Sequence, residues 1–156
     1  MDSIDRNILV ALQHDSAAGL AELAKVAGLS VSATSERVKR LEERGTIRGW
    51  RADLDPAAVG CPLLAFVFVA LRAGAHEQKF RESLLPLGQV LECHAVSGTW
   101  SYMIKLRVGG LAELESFVVN DLRRRAGVER TETVLALATV KETAILPVAA
   151  PEEDEA

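Results

Sequence analysis

Two cysteines and three histidines are the residues of this chain best suited to nucleophilic or metal-binding chemistry. Cys93 and His94 are adjacent inside a run that reads as a β-strand. Successive strand residues point to opposite faces, so a thiolate–imidazole pair is not available there. His14 and His76 stand at no metal-ligand spacing from either cysteine, and Cys61 and Cys93 form no CxxC motif. In a reducing compartment no disulfide between those two is expected. Gly109-Gly110 precedes a helix but lacks the Lys-Ser/Thr of a phosphate loop. The expectation is a protein that is not an enzyme and uses no metal or cofactor.

Charge and hydroxyl groups on one segment remain. The chain carries a net −4, yet residues 25–51 hold seven basic against three acidic residues, a net of +4. Residues 52–156 hold ten against fifteen, a net of −5. A local basic segment in an acidic chain suits a confined nucleic-acid contact, with a solvated helix face as the plain alternative. Within it, residues 30–44 read as a helix that Ser30 caps. At about 100° per residue, Thr34, Val38 and Leu41 share the core arc. Ser32, Glu36, Lys39 and Glu43 lie opposite, flanked by Arg40 and Ser35. A recognition helix brings its N-terminal residues to base edges, where Ser can donate or accept and Glu can accept from cytosine. Ser30, Ser32, Ser35 and Glu36, then Lys39 and Arg40, are the candidate DNA contacts, with Arg48 and Arg51 on the following extension reaching backbone. Arg37 is nearer the core flank, where a salt bridge or a packing role is an equal reading.

The elements that position these residues are legible. Asp2 or Ser3 caps a first helix carrying Ile4, Ile8, Leu9 and Leu12 on one face. His14-Asp15-Ser16 and Gly19 break it. Residues 20–27 form a short helix that Gly28 stops, and the tight turn before Ser30 is the helix-turn-helix signature. Residues 46–54 read as extended, a wing or a strand entering a linker. Asp55-Pro56 begins a short turn, and Gly60-Cys61-Pro62 marks a domain boundary.

The second half follows another pattern. Residues 63–72 read as a strand, 75–87 as a helix, 89–97 and 102–108 as strands, 111–125 as a helix and 129–142 as a long strand. In the second helix Leu111, Leu114, Phe117, Val118 and Leu122 are expected inward. The order βαββαβ is ferredoxin-like. Both helices of such a domain cover one sheet face, yet residues 63–71 and 134–138 are apolar on both faces. Another copy of the domain is the expected cover. Whether Val67 or Phe68 faces outward is open at this level. With aromatics at only 4%, cores this small bury limited surface alone, which also favours a partner subunit. The expected fold class is α+β. Residues 1–51 form a winged helix-turn-helix, 52–62 a linker, 63–145 a ferredoxin-like sensing and oligomerisation domain, and 146–156 a disordered acidic tail. The acidic N-terminus lacks the basic region of a signal peptide, and no apolar run is long enough to span a bilayer; a cytoplasmic location is expected.

Together these stretches resemble the Lrp/AsnC, or feast/famine, family. The matching residues are IDRNIL at 4–9, LAKVAGLS at 23–30, ERVKRLEERGTIRGW at 36–50, ECHAVSG at 92–98, Tyr102 with KLRV at 105–108, and TETVLALATVK at 131–141. The resemblance spans nearly the whole chain. It implies a prokaryotic, nucleoid-associated transcription regulator that binds double-stranded DNA as a dimer or octamer. It also implies control by a small effector, usually an amino acid, held where sensing domains meet. In the family the turn after VSG commonly reads Gly-Asp-x-Asp-Tyr; here it reads Gly98-Thr99-Trp100-Ser101-Tyr102, with both carboxylates absent. Gly98 and Tyr102 carry over as effector residues, and Thr99, Trp100 and Ser101 by position only. Thr131 and Thr133 match polar pocket positions, or are ordinary strand threonines. Trp100 can wall the pocket, offer a face to a cation, or fill space between subunits. The other reading of the whole chain is an oligomeric ligand- or protein-binding module without DNA readout.

Overall fold

The computed structural model describes residues 1–148, so the expected acidic tail lies outside it from residue 149 onward. Packing divides the chain into two units, Met1–Asp53 joined by the segment from Lys141, and Leu54–Val140. Sequence patterning alone draws boundaries at 51, 62 and 145.

The first unit has three helices: α1 (Ser3–His14), α2 (Leu20–Ala27) and α3 (Val31–Glu43). Asp2 caps α1, its Oδ1 accepting from the Asp5 N–H at 2.8 Å. Gly28 ends α2 in the left-handed conformation (φ 66°), a backbone state costly for any residue with a Cβ. Ser30 Oγ accepts from the Ala33 N–H and starts α3. Ile8, Leu12, Leu23, Ala27 and Leu41 form the core between the helices. Residues 46–54 form no strand; Trp50 Nε1 donates to Glu42 at 2.8 Å instead. The segment after Lys141 belongs here because Gln13 clamps it. The Gln13 amide donates to the Leu146 carbonyl at 3.1 Å and accepts from the Leu146 N–H at 2.7 Å.

The second unit is a four-stranded antiparallel sheet in the order β2-β3-β1-β4, built from β1 (Leu63–Leu71), β2 (Val90–Ala95), β3 (Tyr102–Val108) and β4 (Val128–Leu135). Helices α4 (Glu77–Leu84) and α5 (Leu111–Ser116) carry the rest of the core. Ala65, Val67 and Val69 of β1 pack with Ile104, Leu106, Phe80 and Phe117. Phe66 and Phe68 alternate to the opposite, half-exposed face, which decides the question left open for Val67 and Phe68.

Three expectations change. The last strand ends at Leu135 rather than at 142, because Leu135 pairs Ala65 near the start of β1 and Ala136 N–H already reaches Leu64 O. Only Leu63 of β1 lies beyond that bond, and Leu137 and Val140 are fully exposed. Leu111, expected inward, is exposed at the first position of α5. The helix expected to 125 continues beyond α5 as π-helical turns over Phe117–Leu122. That wider turn brings residues five apart onto one face, so Phe117 and Leu122 are both buried.

Candidate nucleic-acid interface and effector site

Ser30, Ser32, Ser35, Glu36, Lys39, Arg40, Arg48 and Arg51 are all solvent-exposed. On the other side of α3, Thr34 and Leu41 are buried, and Thr34 Oγ1 donates to Ser30 O at 3.0 Å. The Ser30 and Ser32 hydroxyls lie 3.1 Å apart, and Lys39 makes a loose, exposed pair with Glu43 at 3.7 Å. The solvent face of α3 therefore offers hydroxyls first and cations later.

Arg37 has a different task. Its Nη1 donates to Asp2 Oδ2 at 2.6 Å and to Asp5 Oδ1 at 2.7 Å. The Asp5 N–H bond and then Arg37 hold the Asp2 carboxyl below its usual value, and the two carboxylates hold Arg37 above its own. Two ion pairs thus fix α3 against the start of α1, and of the two readings of Arg37 the salt bridge is the one realised. Arg40 and Arg44 border a depression beside this cluster. In sequence Arg44 marks only the helix end; its place one turn after Arg40 is the signal that puts both at this depression.

In the second unit the effector candidates do not share one pocket. Tyr102 is 2% exposed on the helix-covered face. Its hydroxyl accepts from Arg81 Nε at 2.6 Å and donates to Glu77 Oε2 at 3.0 Å, and burial pushes its pKa up. Ser101 is tied into the sheet: its N–H donates to Val69 O, and its Oγ accepts from the Leu71 N–H at 3.0 Å. Trp100 lies beside Phe68 on the open sheet face, and the Arg130 guanidinium already sits 4.4 Å above its ring. Gly98 and Thr99 are exposed in the turn. Thr131 and Thr133 pair with the buried Val69 and Val67, so they point to the helix side of edge strand β4. The sheet therefore separates Trp100 from the threonines. A depression of about 430 Å³ between α4 and β2 takes in Tyr102, Arg81, Glu92 and Cys93 but none of the other candidates.

Cys93 pairs with Ile104 and His94 with Met103, so the two point to opposite faces. Partial burial pushes the Cys93 thiol up, away from a reactive thiolate. His94 and Lys105 hold the Glu92 carboxyl low, and Lys105 donates to it at 3.1 Å. Among the described residues no group of three or more His, Cys, Asp and Glu could hold a metal ion, and no helix is long and apolar enough to cross a membrane.

Residues 1–42 match the AsnC-type helix-turn-helix domain, and residues 64–146 match the Lrp/AsnC ligand binding domain. An HTH-type transcriptional regulator of Pyrococcus abyssi is 36% identical, over 95% of this chain and 97% of its own. The leucine-responsive regulatory protein of Escherichia coli K12 is 38% identical, over 92% of this chain and 88% of its own. A Neisseria meningitidis transcriptional regulator, solved in complex with L-Met, superposes with a TM-score of 0.89 at 30% identity, covering 94% of this chain and 96% of that one.

Proposed function

The chain belongs to the Lrp/AsnC family of transcriptional regulators, and from that premise we propose a sequence-specific DNA-binding regulator modulated by a small-molecule effector. The observation that carries the DNA-binding part is the fixed orientation of α3. Arg37 is neutralised by Asp2 and Asp5, while the eight candidate contact residues face solvent. In this reading Ser30, Ser32, Ser35 and Glu36 approach base edges, and Lys39, Arg40, Arg48 and Arg51 approach phosphates.

The effector is an amino acid or a related metabolite, as in the Neisseria relative solved with L-Met. Because the sheet separates Trp100 from Thr131 and Thr133, one chain supplies only part of the pocket, and a second copy completes it. Gly98, Thr99, Trp100, Ser101 and Tyr102 serve that pocket from one side, with Ser101 and Tyr102 acting as its frame. The open sheet face, with Phe66, Phe68, Met103 and Trp100 half-exposed, is the self-association surface of a dimer, the building block of an octamer. The protein works in the cytoplasm, on the nucleoid, and carries out no catalytic step.

Titration of duplex DNA at rising salt tests the central claim. Phosphate contacts release counterions, so affinity falls steeply with salt. Lys39→Ala with Arg40→Ala should weaken binding to every sequence and reduce the logarithmic salt slope by about two. Ser32→Ala or Glu36→Gln should change sequence preference, each costing about 1–3 kcal/mol at a good base contact. Unchanged affinity in the double variant would remove α3 from the interface. No salt-dependent binding at all would leave a binding module without DNA readout.

A further inference from the structure

Three consecutive arginines follow the π-helical turns, and they are used differently. Arg125 Nη1 donates to Ser83 O at 2.8 Å, an internal bond to α4. Arg124 is exposed. Arg123 reaches across to β4, where its Nε donates to Thr131 Oγ1 at 2.9 Å. A guanidinium at the end of a helix is usual, because the terminal carbonyls attract it. Here the Nε goes to a side chain instead, and that choice orients the fork. Among the described residues Arg123 has no carboxylate partner, although Asp121 and Glu129 are near in sequence.

The surroundings form a ledge. β4 is an edge strand, and the helix side of Thr133 and Leu135 is exposed, whereas their β1 partners Val67 and Ala65 are fully buried. Among the described residues the two terminal nitrogens of Arg123 have no hydrogen-bond partner. Thr131, having accepted from Nε, still has its own O–H to donate, and Thr133 adds a second hydroxyl. A planar fork with hydroxyl donors beside it matches a carboxylate. Leu135 continues the same ledge with apolar surface for a ligand's side chain. For an ammonium group the turn at 98–102 offers no carboxylate, and the Trp100 ring already carries Arg130.

We propose that Arg123, oriented by Thr131, anchors the effector's carboxylate, so that the effector class is a small organic carboxylate held by its anionic end, with or without an α-ammonium group. The proposal rests on the effector-binding reading above and specifies its chemistry. It makes 2-oxo acids ligands alongside amino acids.

The test is calorimetric titration of the full-length protein with the twenty L-amino acids, their 2-oxo acid counterparts and the matching amino-acid carboxamides. The best amino acid and its 2-oxo acid should bind within about tenfold of each other, and the carboxamide should lose about tenfold or more, because charge-assisted bonds to the carboxylate are lost. Arg123→Gln should weaken carboxylate binding by about ten- to a hundredfold and Arg123→Lys by less, while Thr131→Val should weaken it too, and by less in the Arg123→Gln background than alone. Arg124→Gln, which removes the same charge next door, should leave affinity unchanged; thermal melting of each variant confirms folding. Equal binding of acid and carboxamide would overturn the proposal. So would equal losses in the Arg123 and Arg124 variants, binding untouched by Arg123→Gln, or amino-acid binding without 2-oxo acid binding; each leaves the effector reading intact. If nothing in the panel bound, both would fail.

Discussion

Arg37 and Asp2 show how an ion pair fixes the helix that is proposed to read DNA. Asp2 accepts from the Asp5 N–H and from Arg37, and both favour its ionised form. A carboxyl with a lowered folded-state pKa contributes stability that is complete above its ordinary value of 3.8. That contribution is lost as pH falls through the lower, folded value. Asp2→Asn should therefore lower the melting temperature at neutral pH. It should also narrow the gap to the native protein once pH drops below the ordinary carboxyl range. Helical circular dichroism melts across that range check this, and curves that stay parallel down to the lowest pH would show that Asp2 is not linked to folding. Arg37 was ambiguous in sequence because its angle on the helix lies at the edge of the core. The acceptors that decide its role are more than thirty residues away in the chain.

At the scale of elements, two glycines distinguish backbone strain from crowding. Gly28 has φ 66° and open space where a Cβ would stand. Gly127, before β4, has φ 92°, and a Cβ there would lie 2.7 Å from the Ala75 Cβ. Gly28→Ala should cost the left-handed backbone term alone, about 1–2 kcal/mol. Gly127→Ala should cost that and a repacking of the approach to α4, about 1–3 kcal/mol more. Chemical denaturation of the two variants separates the terms, and equal losses would mean that Ala75 yields freely. Helix starts and stops were legible because caps are local: Ser30, Gly28 and Asp2 act on neighbours within a few residues. The π-helical turns and the end of β4 were not. The first depends on which side chains the sheet must receive, and the second on where β1 begins.

For the molecule as a whole, the open sheet face is the surface proposed for self-association. Phe68 pairs with Met103 and Glu132 on that face, whereas Val67 lies fully buried beneath the helices. Phe68→Glu should give a folded protein with weakened self-association in sedimentation. Val67→Glu should fail to fold, since an unpaired charge in that core costs several kcal/mol. A Phe68→Glu protein that assembles like the native one would place the interface elsewhere. The doubly apolar run of β1 calls for a partner on sequence grounds alone, because both helices cover one sheet face and leave the second nothing to pack on.

By itself the sequence determined the order of elements, the helix-turn-helix, the α+β class and the solvent face of α3, since each rests on periodicity or capping over a few residues. Only the tertiary structure decided that Arg37 is an internal tie, that Phe68 rather than Val67 faces outward, and that the chain after Lys141 returns to the first unit. It also decided that Trp100 and Thr131 lie on opposite faces of one sheet and that Arg123 stands beside Thr131. These facts depend on strand register and on contacts between residues distant in the chain. Sequence spacing gives a residue's face within its own element, but the neighbour across that face is chosen by how the elements pair.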